Sequence, residues 1–111
     1  MTYALLVYDR DDSLAGLPEQ DKAAIFAEYE RFARTDGLTG YRLQPAVRAT
    51  TLRTHADGDE LSPGPVTNDP LRLAGFYLVE TDDPERAAEL ARQIPAARLG
   101  GAVQIHPLAG E

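Results

Sequence analysis

Leu71-Arg72-Leu73-Ala74-Gly75-Phe76-Tyr77-Leu78-Val79-Glu80 is the stretch on which the fold turns. Side chains alternate across a strand, so Leu73, Gly75, Tyr77 and Val79 share one face and Ala74, Phe76 and Leu78 the other. Both sets are apolar, as expected of a strand covered on both sides rather than one with a wet face. The residues that follow start a helix: Asp83 stands as the cap, Pro84 at the first helical position and Glu85 just inside the positive end. Ala87, Leu90, Ala91 and Ile94 form its apolar stripe, and Pro95 blocks its continuation. Ala102 to His106 then reads as a closing strand, with Val103 and Ile105 alternating against Gln104 and His106.

The amino-terminal half repeats the pattern. Thr2 to Tyr8 is another strand apolar on both faces, ended by the polar turn Asp9-Arg10-Asp11-Asp12. Pro18, Glu19 and Asp21 suit the first turn of a helix, and Ile25, Tyr29, Phe32 and Ala33 give its buried stripe. Leu17 is a poor cap, which leaves Gly16 or Ser13 to share that task, and Gly37 stops the helix. Leu38 to Leu43 and Val47 to Thr54 read as strands, with a turn at Asp57-Gly58. The prolines of Ser62 to Pro70 point to an ordered loop at a sheet edge.

The order strand, helix, two strands, long loop, strand, helix, strand predicts one α+β domain over residues 1–111. It is a ferredoxin-like sandwich, an antiparallel sheet with two helices on one face. Two helices cannot cover both faces of a sheet whose strands are apolar on both. The open face is therefore expected to meet a second copy, giving a homodimer.

Composition narrows the function. A hydrophobic share of 43% and a charged share of 26% are ordinary globular values. The absence of cysteine removes disulfides and thiolate chemistry, and with the lack of a basic amino-terminal leader it points to a cytoplasmic protein. No apolar run is long enough to span a bilayer. A net charge of −7 works against nucleic-acid backbones and anionic membrane surfaces. Phosphate-loop, dinucleotide and nucleophile-elbow motifs are all missing, and two distant histidines make no metal-ligand set, so no cofactor and no metal are expected.

Several segments, in order, resemble the YCII-related (DGPF) family over nearly the whole chain. Tyr3-Ala4-Leu5-Leu6-Val7-Tyr8 is similar to the family's first strand, and Gly40-Tyr41-Arg42-Leu43-Gln44-Pro45 with Ala49-Thr50-Thr51-Leu52-Arg53 to its Gly-x-x-Leu-x-Pro and Ala-Thr-Thr-Val-Arg pattern. Gly64-Pro65 sits at the DGPF signature, Leu73 to Glu80 follows at the family's spacing, and Ile94-Pro95-Ala96-Ala97 and Val103 to Pro107 resemble its closing elements. The resemblance implies a dimeric α/β barrel, a fold shared with muconolactone isomerases. It also implies a small molecule bound near the 63–69 loop, a cofactor-free lyase or isomerase, or an accessory protein linked to sigma-factor regulation. The signature's Asp is Pro63 here and its Phe is Val66, and the first helix carries no histidine for the His–Asp pair proposed in one branch.

The remaining candidates are single residues, each with two readings. His106 is a general base if a carboxylate holds its second nitrogen, or else an exposed strand-end histidine. Asp9 is a polar group at a small-molecule site or an ordinary turn residue, and Asp69 replaces the lost signature carboxylate only if its loop bends towards the site. Arg42 and Arg48 clamp a carboxylate or act as sheet-edge charges that discourage aggregation. Tyr77 faces a pocket or belongs to the core.

Overall fold

The computed structural model describes residues 1–10 and 14–110. Ser13, one of the caps considered for the first helix, lies outside the described residues, as do Asp11 and Asp12 of the first turn.

The central pair of strands is β1 (Thr2–Arg10) and β5 (Leu71–Glu80), the two stretches with apolar residues on both faces. They run antiparallel, flanked by β2 (Leu38–Arg42) on the β5 side and β6 (Ala102–Pro107) on the β1 side, in the order β2-β5-β1-β6. Helices α1 (Glu19–Ala33) and α2 (Pro84–Arg92) supply the second layer. Tyr3, Leu5, Val7, Tyr77 and Val79 from the sheet pack against Ile25, Tyr29, Phe32, Ala87, Leu90 and Ile94 from the helical side. The result is an α+β ferredoxin-like sandwich, and the molecule is only 19 Å through its thinnest direction, about two layers.

Asp83 caps α2 as its sequence demands, its carboxylate accepting the Glu85 N–H at 3.0 Å. The other helix starts without a side-chain cap. Pro18 occupies the cap position, and its carbonyl accepts the N–H groups of Asp21 at 3.0 Å and Lys22 at 3.1 Å. Gly37 takes φ +77° beyond the helix end. Of the expected α1 stripe, Ile25, Tyr29 and Phe32 are buried, but Ala33 is exposed and lines a surface groove with Gly40 and Tyr41.

Three strand expectations are corrected. A 3-10 turn, Ala46–Arg48, follows Pro45, so β3 begins at Thr50 and runs to His55. Gly58 to Pro63 is a further strand, β4, rich in residues that strands usually avoid. It pairs only with β3 in a separate hairpin, register Leu52↔Leu61, turned tightly at Ala56–Asp57. The third correction concerns Leu73. A bulge at Ala74 shifts the ladder from Val7↔Gly75 to Tyr8↔Leu73, which moves Leu73 to the face of Tyr8, away from Tyr77 and Val79.

Gly40 lies directly opposite Tyr77 on the helix-covered face. A Cβ there would collide with the Phe76 carbonyl oxygen and meet the Tyr77 Cδ1 at 2.6 Å, so only glycine lets the tyrosine ring cover the strand.

Candidate functional site

The carboxyl-terminal end of β1, the end of β2 and the first turns of α1 leave a cleft between helix and sheet of about 630 Å³. Arg42 reaches it because residue parity places the side chain on the helix-covered face, paired with Gly75. Its guanidinium carbon lies 4.2 Å from the centre of the Tyr29 ring and 5.2 Å from that of Phe26. Both aromatics come from α1, so the helix restrains where the guanidinium sits. Among the described residues its N–H groups donate to no hydrogen bond and no ion pair.

Asp9 enters the same cleft from β1, paired with Arg72 across the ladder. Burial raises its carboxyl above the usual carboxylate range, and the positive charge of Arg42 pulls the other way without cancelling the effect. The Tyr29 hydroxyl is pushed up to about 12, chiefly by burial and then by the nearby Asp9 charge. Burial likewise raises Tyr77, again opposed by Arg42. Asp9, Tyr29, Arg42 and Tyr77 thus form one electrostatically connected group at the open end of the layer.

A second cavity of about 620 Å³ lies across the Leu43–Ala46 segment. The Pro65–Thr67 loop bounds it, and Tyr8, Leu71 and Leu73 contribute from the sheet. The loop is held by a 2.6 Å hydrogen bond from Arg72 to the Thr67 carbonyl and a 2.9 Å bond from the Thr51 hydroxyl to the Gly64 carbonyl. The walls are mostly apolar, with Arg48 as a charged contributor.

The candidates therefore separate. Asp9 and Arg42 share the helix-side cleft, and Tyr77 borders the adjoining groove while packing edge-on to Phe32 at 5.0 Å. Arg48 lines the other cavity, so the two arginines flank the bend without converging. Asp69 accepts the Leu71 N–H at 2.8 Å, a local turn bond that directs its carboxylate to its own loop. His106 is exposed on β6, paired with Ala4 on the uncovered sheet face, with Nδ1 3.0 Å from the Pro107 carbonyl oxygen. No group of three potential ligands is positioned to hold a metal ion among the described residues, and no helix there is long and apolar enough to cross a membrane.

Phe26 and Tyr29 were not singled out as functional by sequence. Tyr29 belongs to the expected buried stripe of α1. The signal lay in their position on the helix face toward the end of β2, which only the sheet order reveals.

A model of the YCII-related domain family matches residues 1–109. An uncharacterized protein of Rhizobium meliloti (strain 1021) is 26% identical over 115 residues, covering 98% of this chain and 93% of the relative.

Proposed function

The chain belongs to the YCII-related domain family, and from that premise we propose that it works as a homodimer binding a small molecule in two adjoining cavities, one beside the 63–69 loop and the other the helix-side cleft of Asp9 and Arg42. The observation that carries the ligand reading is the Asp9–Arg42 pair, two charged groups in one concave site that do not bond to each other. Cavities of this size, mostly apolar with a few convergent polar groups, are what small ligands occupy. The desolvated Asp9 also favours a second reading, a cofactor-free lyase or isomerase activity, because a carboxyl raised toward neutrality is better matched to moving a proton.

The dimer reading draws on the uncovered sheet face. Residue parity puts Ala4, Leu6, Tyr8, Tyr41, Phe76 and Leu78 there, with Glu80 as an acidic residue at the end of β5, in a chain of net charge −7. Two copies can meet on the apolar part of that face with less of the repulsion that the rest of the surface would impose. Light scattering at micromolar concentration is expected to give twice the 12.1 kDa chain mass; a monomer rejects the dimer.

Ligand binding is tested by ligand-observed NMR with a chemically mixed fragment library. Ala46 lines both cavities, so Ala46→Trp is expected to abolish the hits seen with the unaltered chain. Hits that survive in the folded variant, or no hits at all, reject the site.

A further inference from the structure

We infer that the helix-side cleft selects a small organic monoanion that also carries a hydroxyl, a 2-hydroxycarboxylate in chemical class, with its carboxylate on Arg42 and its hydroxyl donating to Asp9. This rests on the small-molecule reading above and names what the site takes.

The sign of the ligand follows from Arg42. Of the cations lining the cleft, Lys22 lies 3.5 Å from Glu19 and Arg72 donates to the Thr67 carbonyl, whereas the Arg42 guanidinium makes no ion pair or hydrogen bond among the described residues. It is the group of the lining that draws an anion.

The anchor follows from Arg42. A guanidinium held against the rings of Tyr29 and Phe26 has already lost much of its rotational freedom, and its donors remain unused within the described chain. A planar fork of this kind matches a carboxylate in two parallel hydrogen bonds. Stacking holds the fork in place before the ligand arrives, so less entropy is lost on binding.

The hydroxyl follows from Asp9. Its half-buried carboxylate accepts no hydrogen bond from another side chain among the described residues, although desolvation makes an unpaired acceptor costly. Strand β5 separates the two groups, since Arg42 pairs with Gly75 and Gly75 with Val7, two residues before Asp9. The backbones of β1 and β2 are therefore roughly 10 Å apart, two strand spacings. Gly75 has no side chain to fill the floor between them. A carboxylate with a hydroxyl on the adjacent carbon offers one group to each side of that floor, the carboxylate to the guanidinium and the hydroxyl to Asp9. A second carboxylate in place of the hydroxyl would meet Asp9 with like charge, so dicarboxylates are selected against.

The test is calorimetric titration of the unaltered chain with mandelate, phenylacetate, mandelamide and phenylmalonate. Mandelate is expected to bind most tightly, with phenylacetate weaker for want of the hydroxyl, mandelamide weaker for want of the charge, and phenylmalonate rejected. Arg42→Gln is expected to weaken mandelate by about tenfold or more. Asp9→Asn is expected to relieve the rejection of phenylmalonate while leaving the Arg42 anchor intact. Melting curves check that both variants remain folded. Equal binding of mandelate and mandelamide, or mandelate affinity unchanged in Arg42→Gln, overturns the anion assignment while leaving a small-molecule site standing. Failure of mandelate and of glycolate to bind overturns it too. The fragment screen then separates a wrong ligand class from a wrong site, because the site itself falls only if that screen is also empty.

Discussion

At the scale of single residues the decisive contest is at Asp9, where desolvation raises the carboxyl and Arg42 lowers it, with desolvation the larger effect. The native state therefore holds the Asp9 proton more tightly than the unfolded chain, whose value is near 3.8. Below 3.8 the group is protonated in both states and carries no penalty. As the pH rises through the raised native value, native stability from this group is lost. Asp9→Asn removes the charge with little change of shape. Its stability relative to the unaltered chain is expected to be near zero at pH 3 and positive at pH 7, read from urea melts at the two values. A variant less stable at pH 7 would show that attraction to Arg42 outweighs burial. Such a gain is what a binding residue implies, because a group placed for a ligand is seldom placed for stability.

At the scale of elements, legibility in the sequence follows how locally each element is specified. The α2 helix is local in this sense: Asp83, Pro84, Glu85 and an apolar stripe all lie within a dozen residues and agree. Asp83→Ala is expected to cost about 0.5–2 kcal/mol, measured by chemical denaturation, through loss of the bond to the Glu85 N–H. The β4 strand is the opposite case. Gly58, Asp59, Glu60 and Pro63 have no intrinsic preference for a strand, and the segment extends because β3 lies opposite it. The site was partly legible in the same way. Asp9 and Arg42 were candidates from charge and position, but their convergence depends on β5 lying between β1 and β2. The separation of Arg42 from Arg48 likewise depends on the 3-10 turn at Ala46–Arg48.

At the scale of the molecule the outline is uneven. Its radius of gyration is 15.8 Å, where a compact chain of this length would have about 13 Å. The β3–β4 hairpin accounts for much of the excess: nearly every residue in it is exposed, including Leu52 at 57% and Leu61 at 70%. We extend the proposed dimer interface from the sheet face to these exposed leucines. The melting temperature is then expected to rise with protein concentration, because association stabilises only the folded chain. Leu52→Glu with Leu61→Glu is expected to abolish that dependence while preserving the circular dichroism of the folded chain. A concentration-dependent melt that persists in the double variant would exclude the hairpin from the interface.

The strand order has a further consequence during synthesis. Both neighbours of β1 lie beyond residue 70, since β5 and β6 pair with it and β2 does not. A ribosome adding roughly 5–20 residues per second takes about 4–14 s to pass from the end of β1 to the end of β5, the first of its two neighbours. For that interval the nascent chain carries an apolar strand with neither ladder available, and no amount of early helix formation in α1 can pair it. The sheet closes only when the carboxyl-terminal third has emerged. Truncation within β6 is therefore expected to cost more than its few residues would imply, because it removes one of the two ladders of β1.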